Sequence, residues 1–254
     1  MTDSQRDLSR DDDIVARPRH VLDRLWHALG AQLRHPSGSF GSLVGWLMAL
    51  INDEPNRLAV DALDLGRRET VLELGFGPGW GLRTIAERTG GARVYGVDQS
   101  ARMIEQAKRM NEVAVSSGRM VLVQGPFSPL PWIDEMFDKV LLVNVVYFFD
   151  SDGRDASEVY RVLRSGGRAV IYVTSRETMT KWPFAGPQTH KLYERNELLN
   201  LLVDAGFQTS DITIEDVQLP FGIKGLLATA AKSRCAPVSE RSLHRICAIS
   251  RTLG

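Results

Sequence analysis

The feature that most constrains the fold is an alternation that begins at residue 70, where short apolar runs are separated by segments with helical periodicity. Parallel neighbouring strands are joined by crossover connections, which are usually helices that pack on the sheet. This alternation therefore predicts a parallel β-sheet with helices on both faces. The fourth run, KVLLVNVVYFF, is apolar along nearly its whole length, and we expect it to form a central strand that is buried on both sides. The five predicted strands are 71–75, 93–98, 120–124, 139–146 and 169–174.

Capping and stop signals separate the helices from these strands. Two helical segments, LRTIAERTGG and ASEVYRVLRSGG, end in a glycine pair that suits a helix C-terminus. Ser100 is expected to cap the helix ARMIEQAKRM, and Gly206 to stop the helix NELLNLLVDAGF. After that helix, DITIEDVQL and KGLLATAA are expected to be strands that pair as an antiparallel hairpin. The predicted fold class is α/β: a doubly wound, mostly parallel seven-stranded sheet with a C-terminal antiparallel hairpin and N-terminal capping helices.

Composition narrows the range of partners and compartments. The 31 basic and 31 acidic residues cancel, so no overall charge attracts the chain to nucleic acid or to an anionic membrane. The longest apolar stretch, at 40–51, has 12 residues, whereas a membrane-spanning helix needs about 20, so we expect no stable membrane insertion. The chain has only two cysteines, Cys235 and Cys247, which favours a reduced, cytoplasmic protein, and we expect no metal site.

The stretch VLELGFGPGWG places one acidic residue before four glycines at every second position. A glycine-rich turn after the first strand of a doubly wound sheet lets a ligand approach the backbone. A dinucleotide site has glycine at the first, third and sixth positions, but the sixth position counted from Gly75 is Trp80, and counted from Gly77 it is Leu82. Glu73 would also repel a diphosphate and attract a cation. Register and charge therefore argue against NAD and favour S-adenosylmethionine, which carries an ammonium group and a sulfonium.

Two acidic residues have a structural explanation as well as a ligand-binding one. Glu73 could be a buried acid that pairs with a Lys or Arg elsewhere. Asp98 ends the second predicted strand, where a carboxylate can accept hydrogen bonds from both ribose hydroxyls, although alone it could merely cap the helix that starts at Ser100. Their combination with the glycines favours the ligand-binding interpretation for both.

Four segments between about residue 68 and residue 232 resemble, in order, the motifs of class I S-adenosylmethionine-dependent methyltransferases, particularly the small-molecule branch that includes the quinone-ring methyltransferases. They are similar to the first motif, the second-strand acid with its helix, the fourth-strand region and the fifth-strand entry: LELGFGPGWG, VYGVDQSARMIEQAK, LPWIDEMFDKVLLVNVVYFF and EVYRVLRSGGRAVIYV. The resemblance implies a Rossmann-like methyltransferase domain at 67–232, preceded by a flexible N-terminus and helical cap at 1–66 and followed by a basic tail at 233–254.

The resemblance also implies a role for each matching residue. The methionine part of the cofactor would lie on the glycine stretch, the ribose against Asp98, the adenine against Met103, and the methyl-transfer centre at the end of the fourth strand. The family's GDA triplet is replaced by GPF, and because the ring of Pro126 neither donates nor accepts, adenine recognition would shift to the backbone around Phe127 or to water. Phe127 itself either stacks on the base or packs in the core. The implied cofactor residues are Glu73, Gly75, Gly77, Gly79, Asp98, Gln99, Met103, Pro126, Phe127, Asn144 and Val145.

The implied reaction is in-line transfer of a methyl group from S-adenosylmethionine, with S-adenosylhomocysteine as the product. A catalytic base is optional, since a neutral amine needs none whereas a phenol or a carbon acid benefits from one. The candidate bases are His190, in the loop after the fifth strand, and Tyr147, after the fourth, with a solvated His and a packed Tyr as the structural alternatives.

Apolar side chains in the covering segments, without a basic cluster among them, predict a small-molecule substrate, namely a small, largely apolar or aromatic acceptor. These side chains are Trp46, Met48, Trp182, Pro183, Phe184 and Leu192. Their structural alternative is closure of the core beneath the helices. Two other functions stay open: a non-catalytic partner protein that binds the cofactor or its product, and an NAD-type oxidoreductase.

Overall fold

The computed structural model describes residues 54–89, 91–182 and 191–234, which fold around one β-sheet. The strands are β1 (Thr70–Leu74), β2 (Arg93–Asp98), β3 (Met120–Gln124), β4 (Phe137–Val143), β5 (Leu163–Thr174), β6 (Ile212–Gln218) and β7 (Lys224–Ala231). The helices are α1 (54–62), α2 (Trp80–Thr89), α3 (Ala101–Met110), α4 (Glu112–Ser116), α5 (Arg154–Val162), α6 (Arg176–Met179) and α7 (Arg195–Ala205).

The sheet has the strand order β3-β2-β1-β4-β5-β7-β6. The first five strands in this order run parallel, while β7 is antiparallel to both β5 and β6. The prediction of a mostly parallel seven-stranded sheet with a C-terminal antiparallel hairpin is confirmed, and the apolar run of β4 lies near its centre as expected. The five parallel strands end on the same side of the sheet, which we call the carboxyl edge.

Two hydrophobic layers enclose the sheet, because each covering helix buries one apolar stripe. On one face, α5 and α7 contribute Val159, Val162, Leu198 and Leu202 to the core. On the opposite face, α1, α2 and α3 contribute Ala59, Val60, Leu82, Ile85 and Ile104. Both faces are thus covered, as the alternating sequence pattern predicts.

β4 ends earlier than predicted. Its last residue is Val143, whereas the apolar run, broken only by Asn144, continues to residue 149. Asn144 has a left-handed backbone with φ +52°, a conformation that no strand continues through, and a 3₁₀ turn at Val146–Phe148 follows it. The prediction that 144–146 are strand residues is wrong, since hydrophobicity alone does not report a turn of the backbone.

The second glycine pair does not end a helix. α5 stops at Val162, and Gly166 and Gly167 lie inside β5, which starts at Leu163. Gly166 has φ +78°, and the pairing of β5 with β4 is irregular between Leu163 and Arg168. An added Cβ at Gly167 would come within 3 Å of the Leu163 side chain. The glycine pair therefore permits a bulge at the start of β5, and the predicted helix stop is wrong.

The described part of the predicted helical cap packs into the core. Ala59 and Leu63 are completely buried, and the Arg168 guanidinium donates to the carbonyl oxygen of Ala62 at 3.1 Å. Residues before 54 and after 234, including both cysteines, lie outside the described residues. The domain boundaries at 66 and 232 therefore stay predictions.

None of the helices within 54–89, 91–182 and 191–234 combines the length and the hydrophobicity that a membrane crossing requires.

Candidate functional site

The predicted cofactor residues converge at the carboxyl edge. β1 lies between β2 and β4, so residues at the ends of these three strands are neighbours. The glycine stretch follows β1, Asp98 ends β2, and Asn144 and Val145 follow β4. Doubly wound sheets bind their ligands in a crevice at this edge.

The glycine loop, residues 75–81, connects β1 to α2 through backbone conformations that most residues avoid. Gly75, Gly77 and Gly79 have positive φ angles of +62°, +51° and +95°. The N–H of Gly75 donates to the carbonyl oxygen of Val97 at 2.8 Å, and the N–H of Gly77 donates to Asp98 Oδ2 at 2.9 Å. The end of β2 therefore holds the loop in place.

The four glycines of this loop serve different purposes. An added Cβ at Gly77 would meet no atom of the described residues within 4 Å. At the other three, an added Cβ would come within 3 Å of a neighbouring side chain: Val145 for Gly75, Ala107 for Gly79 and Glu73 for Gly81. Of the four, Gly77 alone leaves room for a ligand beside a bare backbone, while the other three allow close packing within the protein.

Glu73 is a buried carboxylate with an unsatisfied oxygen. Its side chain is 2% exposed, and its Oε2 has no hydrogen-bond partner among the described residues. Burial, together with the nearby charge of Asp98, raises the pKa of Glu73 well above its usual range, although the Leu82 N–H donates to the carboxyl group. No Lys or Arg in the described part of the chain forms an ion pair with it, so the structural alternative of a paired buried acid has no support there.

Asp98 connects the glycine loop to the start of α3. Its Oδ2 accepts from Gly77, and its Oδ1 accepts from the Ser100 N–H at 2.8 Å. Ser100 occupies the N-cap position as predicted, but its side chain makes no capping hydrogen bond. Burial raises the pKa of Asp98 to about 6. Because each carboxylate oxygen accepts two hydrogen bonds, Asp98 can hold the helix terminus and still receive a ribose hydroxyl.

These features fit S-adenosylmethionine. Two neighbouring carboxylates are buried, and one of them, Glu73, has an oxygen without a donor among the described residues. The backbone at Gly77, which donates to the other carboxylate, is open. An anionic ligand would add repulsion, whereas a positive charge compensates the carboxylates. The charge of these two side chains therefore favours a cationic ligand over an anionic one.

The residues predicted to hold the adenine divide between the core and the surface. Met103 is buried on α3, while Pro126 is exposed after β3. Phe127 is buried, with its ring 5.8 Å from the ring of Phe149, which favours the packing interpretation over stacking on the base. Gln99 is partly buried, and its carbonyl oxygen accepts a hydrogen bond from the end of β3.

Asn144 and Val145 contact different parts of the carboxyl edge. The side chain of Val145 fills the space that a Cβ at Gly75 would need. The amide oxygen of Asn144 accepts from the Tyr147 hydroxyl at 2.7 Å and from the Thr174 N–H at 2.9 Å. This oxygen is therefore directed to the end of β5.

Tyr147 has the surroundings of a packed hydrogen-bond donor. Its one hydroxyl proton has two acceptors within reach, Asn144 Oδ1 and, at 3.1 Å, the carbonyl oxygen of Thr174. Burial raises the pKa of this hydroxyl above its ordinary value, so it stays protonated near neutral pH. A protonated phenol accepts no proton from a substrate, and the geometry favours the structural alternative for Tyr147 over the base.

Several predicted residues have no described position. His190 lies outside the described residues, as do Trp46, Met48, Pro183 and Phe184, and their roles stay predictions. Trp182 and Leu192 are partly buried and pack against the core on the face of α5 and α7.

Sequence reasoning missed Thr174. This residue is 2% exposed, ends β5 and contacts Asn144, which precedes it by 30 residues. The only sequence signal is that a polar residue closes the apolar run AVIYVT. That signal is weak, because many strands end in a polar residue.

A cavity of ≈ 560 Å³ opens farther along the carboxyl edge, between the ends of β5 and β6 and the start of β7. Its charged side chains pair with carboxylates: Arg176 with Glu197 at 2.5 Å, Arg195 with Asp216 at 2.5 Å, and Lys224 with Glu177 at 2.9 Å. The glycine loop does not line it.

Comparison with known proteins identifies related chains. The family model "Methyltransferase domain" matches residues 72–171. The uncharacterized methyltransferase YdaC of Bacillus subtilis is 28% identical over 190 residues, which cover 75% of this chain and 98% of the relative. The ubiquinone/menaquinone biosynthesis C-methyltransferase UbiE of Geotalea daltonii is 28% identical over 116 residues, covering 45% of this chain and 49% of that protein. The chain thus spans about half the length of this second relative.

The fold has counterparts among solved structures. The crystal structure of a SAM dependent methyltransferase from Aquifex aeolicus superposes with a TM-score of 0.58 at 19% identity, covering 70% of this chain and 89% of that one. At this identity the likeness concerns the fold alone.

Proposed function

We propose that this chain is a class I S-adenosylmethionine-dependent methyltransferase that methylates a small, largely apolar or aromatic acceptor by in-line displacement. The cofactor supplies an electrophilic methyl group on its sulfonium and is released as the neutral thioether S-adenosylhomocysteine. The observation that carries the cofactor site is the unsatisfied Oε2 of Glu73 beside the open backbone of Gly77. The residues of the chain bind and orient, and orientation alone can supply about 7–11 kcal/mol of the barrier in favourable systems.

The chain's residues have distinct tasks in this proposal. Glu73 attracts the positive charge of the ligand, and Asp98 accepts from the ribose while it fixes the N–H of Gly77. Met103 and the backbone after β3 flank the adenine. The backbone of Asn144 and Val145 borders the position of methyl transfer.

The acceptor class has support from the relatives and from the chain's charge. The name of the UbiE relative places that protein in quinone biosynthesis, where the acceptor is a small molecule. The zero net charge of this chain offers no general attraction to a polyanionic acceptor. Trp182 and Leu192 bring apolar surface to the segments that follow β5.

The proposed base is His190, and Tyr147 is set aside for this task because its hydroxyl stays protonated. Replacement His190→Ala should lower turnover and leave the affinity for S-adenosylhomocysteine unchanged, since a base acts on the acceptor. Turnover equal to that of the wild type would remove His190 from the mechanism.

Isothermal calorimetry with the full chain tests the cofactor site. We expect S-adenosylmethionine and S-adenosylhomocysteine to bind and NAD to give no signal. A preference for NAD over both sulfur compounds would contradict the proposal.

A labelled-methyl assay tests the acceptor class. The protein is incubated with methyl-labelled S-adenosylmethionine and separate pools of quinols, phenols, amines and acidic metabolites. We expect label in an aromatic or apolar pool. Label only in the acidic pool would contradict the acceptor class, and intact cofactor binding without transfer to any pool would favour a non-catalytic binding protein.

A further inference from the structure

Three side chains at the ends of β4 and β5 form a hydrogen-bonded cluster, the Asn144 cluster, which consists of Asn144, Tyr147 and Thr174. Asn144 Oδ1 accepts from the Tyr147 hydroxyl at 2.7 Å, from the Thr174 N–H at 2.9 Å and from the Thr174 hydroxyl at 3.3 Å. Tyr147 and Thr174 are almost completely buried. A buried network of this kind holds one arrangement, because a lost partner leaves a polar group without compensation.

The cluster fixes the orientation of the Asn144 amide. A backbone N–H can only donate, so the atom that faces Thr174 must be the amide oxygen. The N–H of Asn144 in turn donates to the carbonyl oxygen of Tyr172 at 2.9 Å, which continues the ladder between β4 and β5. Asn144 is therefore attached to β5 through both its backbone and its side chain.

This attachment coincides with the left-handed backbone of Asn144. A residue other than glycine rarely adopts φ +52°, and the hydrogen bonds of its side chain offset the conformational cost. The turn that results directs the next residue, Val145, back over β1. Without the cluster, the extended backbone that the apolar sequence favours would continue.

The side chain of Val145 packs against the glycine loop. Its side chain occupies the volume beside Gly75 that a Cβ would fill, and the ring of Phe127 lies against the same position. Gly75 begins the loop whose third residue, Gly77, leaves room for a ligand. A displaced Val145 would therefore change the shape of the loop that holds the cofactor.

We propose that Tyr147 is a positioning residue for methyl transfer: with Thr174 it holds Asn144 in the left-handed turn that seats Val145 against Gly75. The inference rests on the proposed cofactor site and assigns to Tyr147 a task other than that of a base. A base would act on the acceptor, whereas a positioning residue acts on the affinity for the cofactor even when no acceptor is present.

Calorimetry with S-adenosylhomocysteine, on the full chain at 25 °C, separates these tasks. Tyr147→Phe removes only the hydroxyl and should weaken binding about threefold to tenfold, the range of one lost neutral hydrogen bond. Asn144→Gly permits the left-handed backbone but removes the amide, and it should weaken binding as well. In the Asn144→Gly background, Tyr147→Phe should change the affinity little further, because the amide through which Tyr147 acts is already absent and the hydroxyl keeps only the Thr174 carbonyl oxygen as an acceptor.

Tyr193→Phe is the matched control. Tyr193 is also buried, and its hydroxyl donates to the Val146 carbonyl oxygen at 3.2 Å, on the same 3₁₀ turn but outside the Asn144 cluster. This variant should lose stability and keep the wild-type affinity.

Three results would overturn the inference. They are an unchanged affinity in a folded Tyr147→Phe variant, equal losses in Tyr147→Phe and Tyr193→Phe, and full additivity with Asn144→Gly. If the wild type itself fails to bind S-adenosylhomocysteine, the proposed cofactor site falls, and this inference falls with it. If Tyr147→Phe does not fold, the affinity of Asn144→Gly decides alone.

Discussion

At the scale of single residues, Glu73 and Asp98 determine the electrostatics of the candidate site. Both carboxyl groups are buried, and the charge of Asp98 adds to the burial that raises the pKa of Glu73. Buried like charges destabilise a fold unless a ligand compensates them. The unliganded protein therefore carries a cost at this position that a cationic ligand removes.

Replacing Glu73 tests this conclusion. Glu73→Gln should raise the free energy of unfolding of the unliganded protein by about 1 kcal/mol at pH 8, because it removes a buried charge whose Oε2 has no partner. The same change should weaken S-adenosylmethionine binding at least about tenfold. Urea denaturation and calorimetry measure the two effects.

Glu158→Gln is the control for Glu73→Gln. Glu158 accepts from the Leu130 N–H at 2.6 Å and pairs with Arg161 at 2.6 Å, so its loss should lower stability. Destabilisation by both substitutions, with unchanged cofactor affinity, would contradict the argument.

The loop glycines make a second residue-level prediction. Gly75→Ala should destabilise the fold by about 3 kcal/mol or more, since its Cβ would overlap the Val145 side chain. Gly77→Ala should cost only about 1–2 kcal/mol for its left-handed backbone, but it should abolish measurable S-adenosylhomocysteine binding because the methyl group enters the open space. Thermal unfolding and calorimetry check both variants, and wild-type affinity in Gly77→Ala would place the ligand elsewhere.

At the scale of elements, the sequence predicts strand positions well and strand ends less well. β2 and β3 have the predicted bounds of 93–98 and 120–124, because polar residues flank each apolar run. β4 is shorter than its apolar run. β5 starts at Leu163, before the glycine pair Gly166–Gly167 that the sequence pattern predicts as the end of a helix. In both places the backbone conformation depends on contacts with a neighbouring strand, and the hydrophobic periodicity of the sequence does not predict such contacts.

β5 also carries a buried hydroxyl that is open to test. Tyr172 is completely buried, and its hydroxyl has no hydrogen-bond partner among the described residues. It faces Gly225 of β7, where an added Cβ would overlap the ring. Tyr172→Phe should therefore keep or raise the free energy of unfolding, by up to about 1 kcal/mol, whereas Tyr147→Phe should lower it by a similar amount. Urea denaturation of both variants measures these changes in the free energy of unfolding. A loss of stability in Tyr172→Phe would mean that the Tyr172 hydroxyl forms a hydrogen bond.

At the scale of the whole molecule, the sheet topology brings distant segments to one edge. Glu73, Asp98, Asn144 and Thr174 come from four strands or their ends, and the order β2-β1-β4-β5 makes them neighbours. Protons and ligands bound at this edge therefore change the free energy of the entire fold.

The dependence of stability on pH follows from the raised pKa of Asp98. Its pKa is about 6 in the folded protein against an ordinary value of 3.8, so the folded state favours the protonated form. The Asp98 contribution to stability is fully present below about pH 3.8 and is lost as the pH rises through 6, a change of roughly 3 kcal/mol. Glu73 acts in the same direction.

Cofactor affinity should show the opposite trend. The ionised carboxylates attract the cation, so the affinity for S-adenosylmethionine should increase by about tenfold between pH 5 and pH 7. Calorimetry across this range measures the trend, and Asp98→Asn should flatten it. An affinity that is independent of pH in the wild type would mean that Asp98 does not contact the ligand.

The sequence by itself determined the sheet architecture, the glycine loop at the end of β1 and the preference for a cationic nucleoside, because these depend on short-range periodicity, glycine spacing and the sign of a charge. Only the tertiary structure decided that Gly77 is the open glycine, that Glu73 keeps an unpaired oxygen, and that Asn144 binds Tyr147 and Thr174. These features arise where neighbouring strands and the loops after them meet, and a sequence pattern specifies which face of a strand is buried but not which residue of another strand lies opposite.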